Sequence, residues 1–225
     1  MEKNNVLMSW STGKDSAYTL FKLKQLPHEV EAVGLLTTLT KSFDRTCLHG
    51  VRRQLLEAQI QRLGLRPYVL EIPYPCANED YDSIMKTFLS IQAVAAEITH
   101  IAFGDLFLEN IRQYRETQLS KTSIKPLFPL WHQNTSLLAN EIIDAGFKAI
   151  ITCIDPKKLD ISFAGRLFDK NFLADLPEGI DPCGENGEFH TFVYDTPLFS
   201  TPIDITVGTS VERNGFIFLD IELDE

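Results

Sequence analysis

Cysteine is scarce in this sequence of 225 residues, and the spacing of its cysteines excludes the common paired motifs. The four cysteines are Cys47, Cys76, Cys153 and Cys183, which lie far apart along the chain. No Cys-x-x-Cys pair occurs, and no cysteine-histidine cluster has the spacing of a zinc site. We therefore expect free thiols and no structural metal, with small buried hydrophobic side chains as the ordinary role of these residues.

Long apolar stretches and a leader segment are also lacking. The first ten residues, MEKNNVLMSW, contain no apolar core of a secretory signal, and no apolar run approaches the roughly 20 residues that a membrane span needs. The sequence shows no repeat and no low-complexity segment. We expect a globular protein of the cytoplasm that has no membrane partner.

The sequence has fewer basic than acidic residues. Lysine and arginine number 21 against 31 aspartates and glutamates, which gives a formal net charge of -10. Binding a nucleic acid over a broad surface requires clustered cations, because it is driven by counterion release. The charge balance therefore argues against a nucleic-acid partner, although it leaves room for a local basic pocket.

Apolar runs alternate with helical periods through the first half of the sequence. Short apolar runs predict strands at 5–10, 31–39, 66–73 and 99–105, and the segments between them have the period of helices. This alternation is typical of an α/β protein with a doubly wound parallel sheet.

The third of these helices is predicted at 78–98. Asn78 is expected to cap it, with acidic residues in the first turn. Spacings of four and three predict that its buried stripe consists of Ile84, Phe88, Ile91, Ala95 and Ile98.

The pattern changes beyond residue 125. The stretch KPLFPLW at 125–131 holds two prolines in an extended apolar segment and predicts a hinge. Near the C-terminus, Asn214-Gly215 favours a type I′ hairpin turn within 206–223. We predict two domains, residues 1–125 and a smaller α+β domain at 126–225, and the hairpin edge leaves homodimer formation open.

The segment MSWSTGKDSA at 8–17 runs from a predicted buried strand through a glycine turn into a helix. Free amides at such a helix start bind anions, and in parallel sheets this turn is the preferred phosphate site. Lys14 would add positive charge to the site. Hydroxyl groups that could donate hydrogen bonds are those of Ser11, Thr12 and Ser16. An ordinary helix start capped by Ser11 or Thr12 explains the same residues.

A second polar cluster, DPCGENGEFHTFVYD, occupies 181–195. Around two glycines it gathers Asp181, Cys183, Glu185, Glu188 and His190. Carboxylates beside an imidazole can serve as acid-base groups or metal ligands. A polar loop that leads into an ordinary strand is the simpler interpretation.

The first segment resembles the phosphate loop of a known group of enzymes. STGKDS at 11–16 is similar to the S-G-G-x-D-S loop of the N-type ATP pyrophosphatases, a branch of the adenine nucleotide alpha hydrolase-like (HUP) superfamily that cuts ATP between the α and β phosphates. The resemblance implies this fold and an ATP site formed by Ser9, Ser11, Thr12, Gly13, Lys14, Asp15, Ser16, Gly104 and Asp105. Thr12 replaces the first glycine of the family, so a positive φ there would strain the loop.

Further segments together resemble the diphthine-ammonia ligase family. GENGEFHTFVYD at 184–195 is similar to its C-terminal signature, and 49–65, 103–116 and 126–131 are similar to its other blocks, in the same order. The resemblance implies a ligase that adenylates a carboxylate with ATP, releases pyrophosphate and couples the acyl group to ammonia. The family substrate is protein-borne diphthine, but relatives in hosts without diphthamide leave a small-molecule carboxylate open.

The implied reaction suggests roles for individual residues. The candidate catalytic residues are Asp15, Glu185, Glu188 and His190. The candidate ligands of Mg²⁺ are Asp15 and Asp105. The candidate substrate-binding residues are His49, Arg112, Arg115, Cys183, Gly184, Asn186 and Gly187. Simpler alternatives are a helix cap for Asp105, a solvated His49, and surface pairs of the two arginines with Glu109 or Glu116.

Two other functions stay open on this fold. Thiolation of tRNA requires a persulfide-carrying cysteine and a basic surface, and both the cysteine spacing and the net charge oppose it. A non-catalytic nucleotide-binding module is the other alternative. The second polar cluster argues against it, because carboxylates and a histidine are superfluous for nucleotide binding alone.

Overall fold

The computed structural model describes residues 3–224 and contains two sheets, of which sheet A is mostly parallel, as an α/β protein requires. The strands of sheet A are β1 (Asn4–Ser9), β2 (Val30–Thr40), β3 (Arg45–Thr46), β4 (Arg66–Ile72), β5 (His100–Ala102) and β6 (Lys125–Leu127). Strands β4, β2, β1, β5 and β6 lie side by side in parallel. The last β2 residue paired with β1 is Leu36, and the part of β2 beyond it pairs antiparallel with β3.

Helices cover both faces of sheet A. The α-helices within residues 3–224 are α1 (Lys14–Lys24), α2 (Arg53–Leu63), α3 (Asn78–Phe88), α4 (Glu109–Leu119), α5 (Thr135–Asp144) and α6 (Lys170–Asp175). Of these, α1 to α4 contact strands of sheet A. Val6 and Met8 of β1 share a core with α1 and α2, whereas Leu7 between them packs in the opposite core with α3. The sheet is therefore doubly wound. Within the described residues, every helix is too short or too polar to span a lipid bilayer.

The order of the strands places a ligand site beside β1. The chain first moves from β1 to β2 on one side and later inserts β5 on the other side of β1. Ligands of open α/β sheets bind at such a reversal, beyond the carboxyl ends of the strands. The turns after Ser9 and after Ala102 both lie there.

Sheet B is antiparallel and stands against the α1 and α2 layer. Its strands are β7 (Lys148–Ile154), β8 (Phe189–Asp195), β9 (Ile205–Arg213) and β10 (Phe216–Leu223), in the order β8, β7, β10, β9. Helix α1 contacts β8 and α2 contacts β10, so one continuous core joins both sheets. The helices α1 and α2 are thus held from two sides.

The predicted β-hairpin is confirmed. Asn214 and Gly215 have φ values of 53° and 81°, as a type I′ turn requires. Ile217, Leu219 and Ile221 of β10 are buried, whereas β9 forms an exposed edge. Homodimer formation through that edge stays a prediction.

The predicted buried stripe of the third helix is wrong at Ile91 and Ala95, which are exposed, whereas Phe88 and Ile98 are buried as predicted. A π-helical segment at Leu89–Ala93 follows α3, and its wider turn shifts the buried face, so that Ile91 is 62% exposed. The buried residues of this region are Met85, Phe88, Leu89, Ala93 and Ile98. Asn78 is also not the cap, because Ala77 precedes the helix.

The proline-rich stretch at 125–131 is extended only in its first part, which belongs to sheet A, and the prediction is wrong for residues 129–131, which form a turn. Lys125–Leu127 forms the edge strand β6, which pairs with β5 alone. An edge strand tolerates Pro126, because one side of it needs no ladder hydrogen bond. The division into domains 1–125 and 126–225 stays a prediction.

Candidate functional site

The turn between β1 and α1 is built by hydrogen bonds among its own hydroxyls. Gly13 precedes the helix, so the alternative that Ser11 or Thr12 occupies the cap position is wrong. The Ser11 hydroxyl accepts from the amide of Gly13 at 3.3 Å and lies 3.1 Å from the hydroxyl of Ser16. Ser9 ends β1 directly before this turn.

Thr12 adopts the positive φ that glycine would accept without strain. Its φ is 74°, the side chain is fully buried, and its hydroxyl has no hydrogen-bond partner among the described residues. The Thr12 carbonyl accepts from the amide of Val193 at 3.0 Å and from Nε2 of Gln59 at 3.1 Å. These two bonds, from sheet B and from α2, hold the strained loop in place.

Lys14 is buried and joins the two polar segments of the sequence. Its ammonium group donates to both carboxylate oxygens of Asp15, at 3.0 and 2.9 Å, and to the carbonyl of Cys183. The rings of Phe168 and Phe189 lie 5.3 and 5.4 Å from it. Burial opposes a charge here, but the nearby acidic groups, Asp15 foremost, outweigh it and raise the pKa of Lys14. Burial in turn raises the pKa of Asp15, against the pull of Lys14.

Two more bonds fasten the acidic segment to the mouth of sheet A. The backbone amide of Lys14, at the start of α1, donates to the Thr191 hydroxyl at 3.1 Å. The amide of Leu106, just after β5, donates to a carboxylate oxygen of Glu185 at 2.8 Å. The two segments that the sequence singled out therefore form one site.

Three carboxylates lie near one another at this mouth: those of Asp15, Asp105 and Glu185. Burial raises the pKa of Asp105, against the pull of Arg115, whose Nε is 3.7 Å from Oδ2. Burial likewise raises the pKa of Glu185 to about 7, and the charges of Asp15 and Asp105 add to the effect. The helix-cap alternative for Asp105 is wrong, because Leu108 precedes α4.

Gly104 allows β5 to approach the first turn of α1 closely. A Cβ at this position would lie 2.9 Å from the carbonyl carbon of Asp15, which is too close for any other residue. Gly104 thereby brings Asp105 near Asp15.

Glu188 is almost completely buried behind the acidic loop. One of its carboxylate oxygens accepts from the Asp181 amide at 3.3 Å and from Nδ2 of Asn186 at 3.0 Å. The other oxygen has no hydrogen-bond partner among the described residues. Gly184 and Gly187 turn the loop with φ values of 73° and 79°.

His49 and His190 stack at 4.6 Å between ring centroids beside the phosphate loop. Nδ1 of His49 lies 2.9 Å from the Thr191 carbonyl, so this nitrogen carries the proton and donates. Burial lowers the pKa of His49 to about 4, and burial together with His49 holds the pKa of His190 well below its usual value. Both rings are neutral at physiological pH, and the alternative of a solvated His49 is wrong.

The two candidate arginines differ. Arg112 donates to Glu116 at 2.8 Å, which agrees with the surface-pair alternative, and its guanidinium lies 5.0 and 4.8 Å from the ring centroids of Phe128 and Trp131. Arg115 instead reaches Asp105 and so borders the carboxylate group.

The Cys183 thiol is shielded. It lies 3.4 Å from the Thr135 carbonyl, and burial raises its pKa, despite the nearby Lys14 charge. The carbonyl of Cys183, rather than its sulfur, contacts the site.

Sequence reasoning missed Gln59 and Thr191. Gln59 accepts from the Trp10 indole at 2.8 Å and donates to the carbonyls of Thr12 and Val193. An amide on the apolar stripe of α2, four residues after Leu55, was the available signal, because buried polar groups need partners. Thr191 gave no comparable signal, since threonine is common in strands.

Comparisons with known proteins support the resemblance. Residues 134–223 match the family model of the diphthamide synthase C-terminal domain. The chain is 24% identical to the diphthine-ammonia ligase of Danio rerio, over 94% of this chain and 90% of that protein. It is 23% identical to the human diphthine-ammonia ligase, over 94% of this chain and 86% of that protein. The expected resemblance to the diphthine-ammonia ligase family is thereby confirmed, and the chain is similar to these ligases along nearly its whole length.

Proposed function

We propose that this protein is an ATP-dependent ligase, built on a HUP fold, that adenylates a carboxylate, releases pyrophosphate and couples the acyl group to ammonia. The observation that carries the proposal is the contact between the Lys14 ammonium and the Cys183 carbonyl. This contact unites a phosphate-type loop with an acidic loop at the reversal point of sheet A, where nucleotides bind. Its relatives are named diphthine-ammonia ligases, which supports a ligase that uses ammonia.

The phosphates would be bound mainly by the backbone at the start of α1. The Lys14 amide is occupied by Thr191, but within residues 3–224 the amides of Asp15 and Ser16 donate to no other residue. Together with the helix dipole they form an anion site. The unpaired Thr12 hydroxyl would donate a further bond. Lys14 would act from behind the loop, by holding Asp15 and the Cys183 carbonyl in place.

Mg²⁺ is the expected counter-ion of the nucleotide. Residues 3–224 contain no group of three side chains that could hold a metal ion on their own. A nucleotide-bound Mg²⁺ needs only one or two carboxylates, because phosphate and water supply the rest. Oδ2 of Asp105, which is buried and lacks a hydrogen bond, fits this need, whereas both oxygens of Asp15 are engaged by Lys14. The ion would offset phosphate charge at the moment of attack.

The amine side of the reaction would use the carboxylates. An ammonium ion is attracted to the group of Asp15, Asp105 and Glu185, and it must lose a proton before it attacks the acyl adenylate. With a pKa of about 7, Glu185 can accept that proton near neutral pH. The buried Glu188, one carboxylate oxygen of which has no hydrogen-bond partner within residues 3–224, would share in this proton transfer, and the neutral His190 would complete the pocket.

The two alternative functions have less support. Sulfur transfer needs a reactive thiolate, and the raised pKa of the buried Cys183 opposes one at the site. If the protein only bound nucleotides, it would not need a buried Glu188 oxygen that lacks a hydrogen-bond partner within residues 3–224. Nor would it need the carboxylates of Asp15, Asp105 and Glu185 close together.

Pyrophosphate release tests the proposal. Purified protein with ATP, Mg²⁺ and a suitable carboxylic acid should release about one equivalent of pyrophosphate per site, because adenylation precedes amide formation. Continued release, with AMP formed in equal amount, should require ammonia. Release that never occurs across a broad panel of acids, with ATP still bound, would favour the binding module instead.

The variant Glu188→Gln should keep ATP affinity within about twofold and lower amide formation by roughly 100-fold, since general acid-base groups contribute about 10²–10⁴. The exposed Glu178→Gln is a matched control and should have normal turnover. A fully active Glu188→Gln protein would remove this residue from the site.

A further inference from the structure

A cavity of about 330 Å³ lies beside His190, and the function proposed above does not assign an occupant to it. Small-molecule sites span roughly 300–1,000 Å³ and are lined mainly by apolar and aromatic groups. The aromatic residues Phe43, Tyr74, Phe216 and Phe218 line the cavity and are called its aromatic wall below. Residues around the end of β2 form one side of the cavity, and the β9–β10 hairpin forms the other.

The cavity runs across sheet B from β8 at one edge of the sheet to β9 at the other. His190 of β8 pairs with Cys153 of β7, Cys153 with Phe218 of β10, and Phe218 with Val211 of β9. All four residues line the cavity. Three strand spacings separate the ends of this row by roughly 14 Å. His190 therefore stands at one end, and β9 with Arg213 stands at the other.

The inner end lies next to the phosphate loop. The His190 ring stacks on His49, and a Cβ on Gly13 would lie 2.6 Å from Cε1 of His49. Two side chains thus separate the cavity from the start of α1. A carboxyl group at this end would be near the phosphates of a bound nucleotide.

The outer end carries a positive charge that lacks a carboxylate partner. Asp220 also lines the cavity, but it accepts from Arg45 at 2.8 Å and from Arg52 at 2.9 Å, so its charge is compensated. Within residues 3–224, Arg213 forms no ion pair, and its guanidinium lies 5.4 Å from the Phe43 ring. A second cation on this aromatic wall would be repelled by Arg213.

We propose that this cavity binds the body of the acyl substrate, and that this substrate is a carboxylic acid with an apolar or aromatic middle and a second anionic group. The reactive carboxylate lies at the His190 end and the second anion pairs with Arg213. The inference rests on the proposed ligase function and narrows its substrate class. A substrate with a quaternary ammonium group does not fit, because Arg213 would repel its positive charge.

Three probes that share one body test the charge assignment. They are phenylpropanoic acids whose para position carries a carboxylate, a carboxamide or a trimethylammonium group. Binding is measured by calorimetry on the protein saturated with a non-hydrolysable ATP analogue. We expect the dicarboxylate to bind at least tenfold more tightly than the trimethylammonium probe. Arg213→Gln should abolish this difference, whereas the exposed Arg66→Gln, far from the cavity lining, should keep it.

A pair of valine substitutions tests the location. Val211 lines the cavity, whereas Val207 lies on the same strand outside the lining, and both are exposed. Val211→Phe should fill the cavity and weaken binding of the dicarboxylate at least tenfold, and Val207→Phe should leave it unchanged. Binding of the ATP analogue should be normal in both variants, which also shows that they are folded.

Three results would overturn the inference. They are tighter binding of the trimethylammonium probe, dicarboxylate binding that Val211→Phe leaves intact, or loss of the ATP analogue in Val211→Phe, which would assign the cavity to the nucleotide. Failure of pyrophosphate release while the cavity still binds the dicarboxylate counts against the proposed function alone, so the two failures are distinguishable.

Discussion

At the scale of single residues, Lys14 is a buried cation enclosed by a carboxylate, a carbonyl and two aromatic rings. Its position in a phosphate-type loop predicts a contact with the nucleotide. In the structure, its 2% exposure and its partners give it a structural role between the two halves of the site. Removing one member of a buried ion pair leaves the other charge uncompensated.

Lys14→Met should therefore destabilise the protein by about 3 kcal/mol, at the low end for buried pairs because Asp15 keeps some exposure. Urea unfolding measures the change. Lys22→Met is the control, since Lys22 forms a surface pair with Glu141, and it should cost no more than about 1 kcal/mol. Lost ATP affinity at unchanged stability would show instead that Lys14 faces the phosphates.

Glu185 gives stability a dependence on pH. Because its pKa rises from 4.5 to about 7 on folding, the folded state binds the extra proton between these values. The contribution of Glu185 to stability therefore falls as pH rises from 4.5 to about 7, and it is constant above that window. Glu185→Gln removes this dependence while keeping an acceptor for the Leu106 amide. Urea unfolding of both proteins across this range measures the difference, and a flat difference would contradict the assignment.

The sequence predicts most residues of the candidate site but not the residues that hold its loop in place. The residues of both polar segments were identified, because glycines, hydroxyls and carboxylates in a short stretch are a local signal. The partners Gln59 and Thr191 come from α2 and β8, and nothing near them in the sequence indicates the loop that they hold.

At the scale of elements, the β1–α1 turn and the region after α3 show where local patterns fail. The strands and helices of sheet A follow their hydrophobic periods closely. The π-helical segment at Leu89–Ala93 adds a residue to one helical turn. A regular hydrophobic period of 3.6 residues does not predict such an insertion. The strain at Thr12, by contrast, could be anticipated from its side chain once a positive φ was considered.

Thr12→Gly should stabilise the nucleotide-free protein by about 1 kcal/mol, because a positive φ costs a side-chain-bearing residue about 1–2 kcal/mol and the buried methyl group offsets part of that. It should also weaken ATP binding several-fold, since the unpaired hydroxyl is lost. Thr12→Ser keeps the hydroxyl and should retain the affinity. Thermal unfolding and ATP titration measure both effects, and a less stable Thr12→Gly protein would refute the strain.

At the scale of the whole molecule, the two sheets share the layer formed by α1 and α2. The sequence predicted a parallel half and a hairpin half, but it could not predict that they share one core. Contacts such as Lys14 to Thr191 join residues far apart in the sequence, and periodicity carries no information about them.

The shared layer predicts one cooperative unfolding transition. In Trp131→Phe, Trp10 is the single tryptophan, buried against α2 through its bond to Gln59. Its fluorescence and the far-ultraviolet circular dichroism should change at the same urea concentration, because neither sheet can lose the α1 and α2 layer alone. Two separated transitions would mean that the predicted domains unfold independently.

Strand β2 runs from Val30 to Thr40, whereas its neighbour β1 stops beside Leu36. The excess length carries Thr40 and the β3 residue Thr46 into the cavity wall, while the amides of the phosphate loop stay at the level of β1. Amino-acid changes at Thr40 and Thr46 therefore alter what the cavity accepts without removing a hydrogen bond of the phosphate loop. Natural selection can diversify one specificity in this architecture while conserving the other.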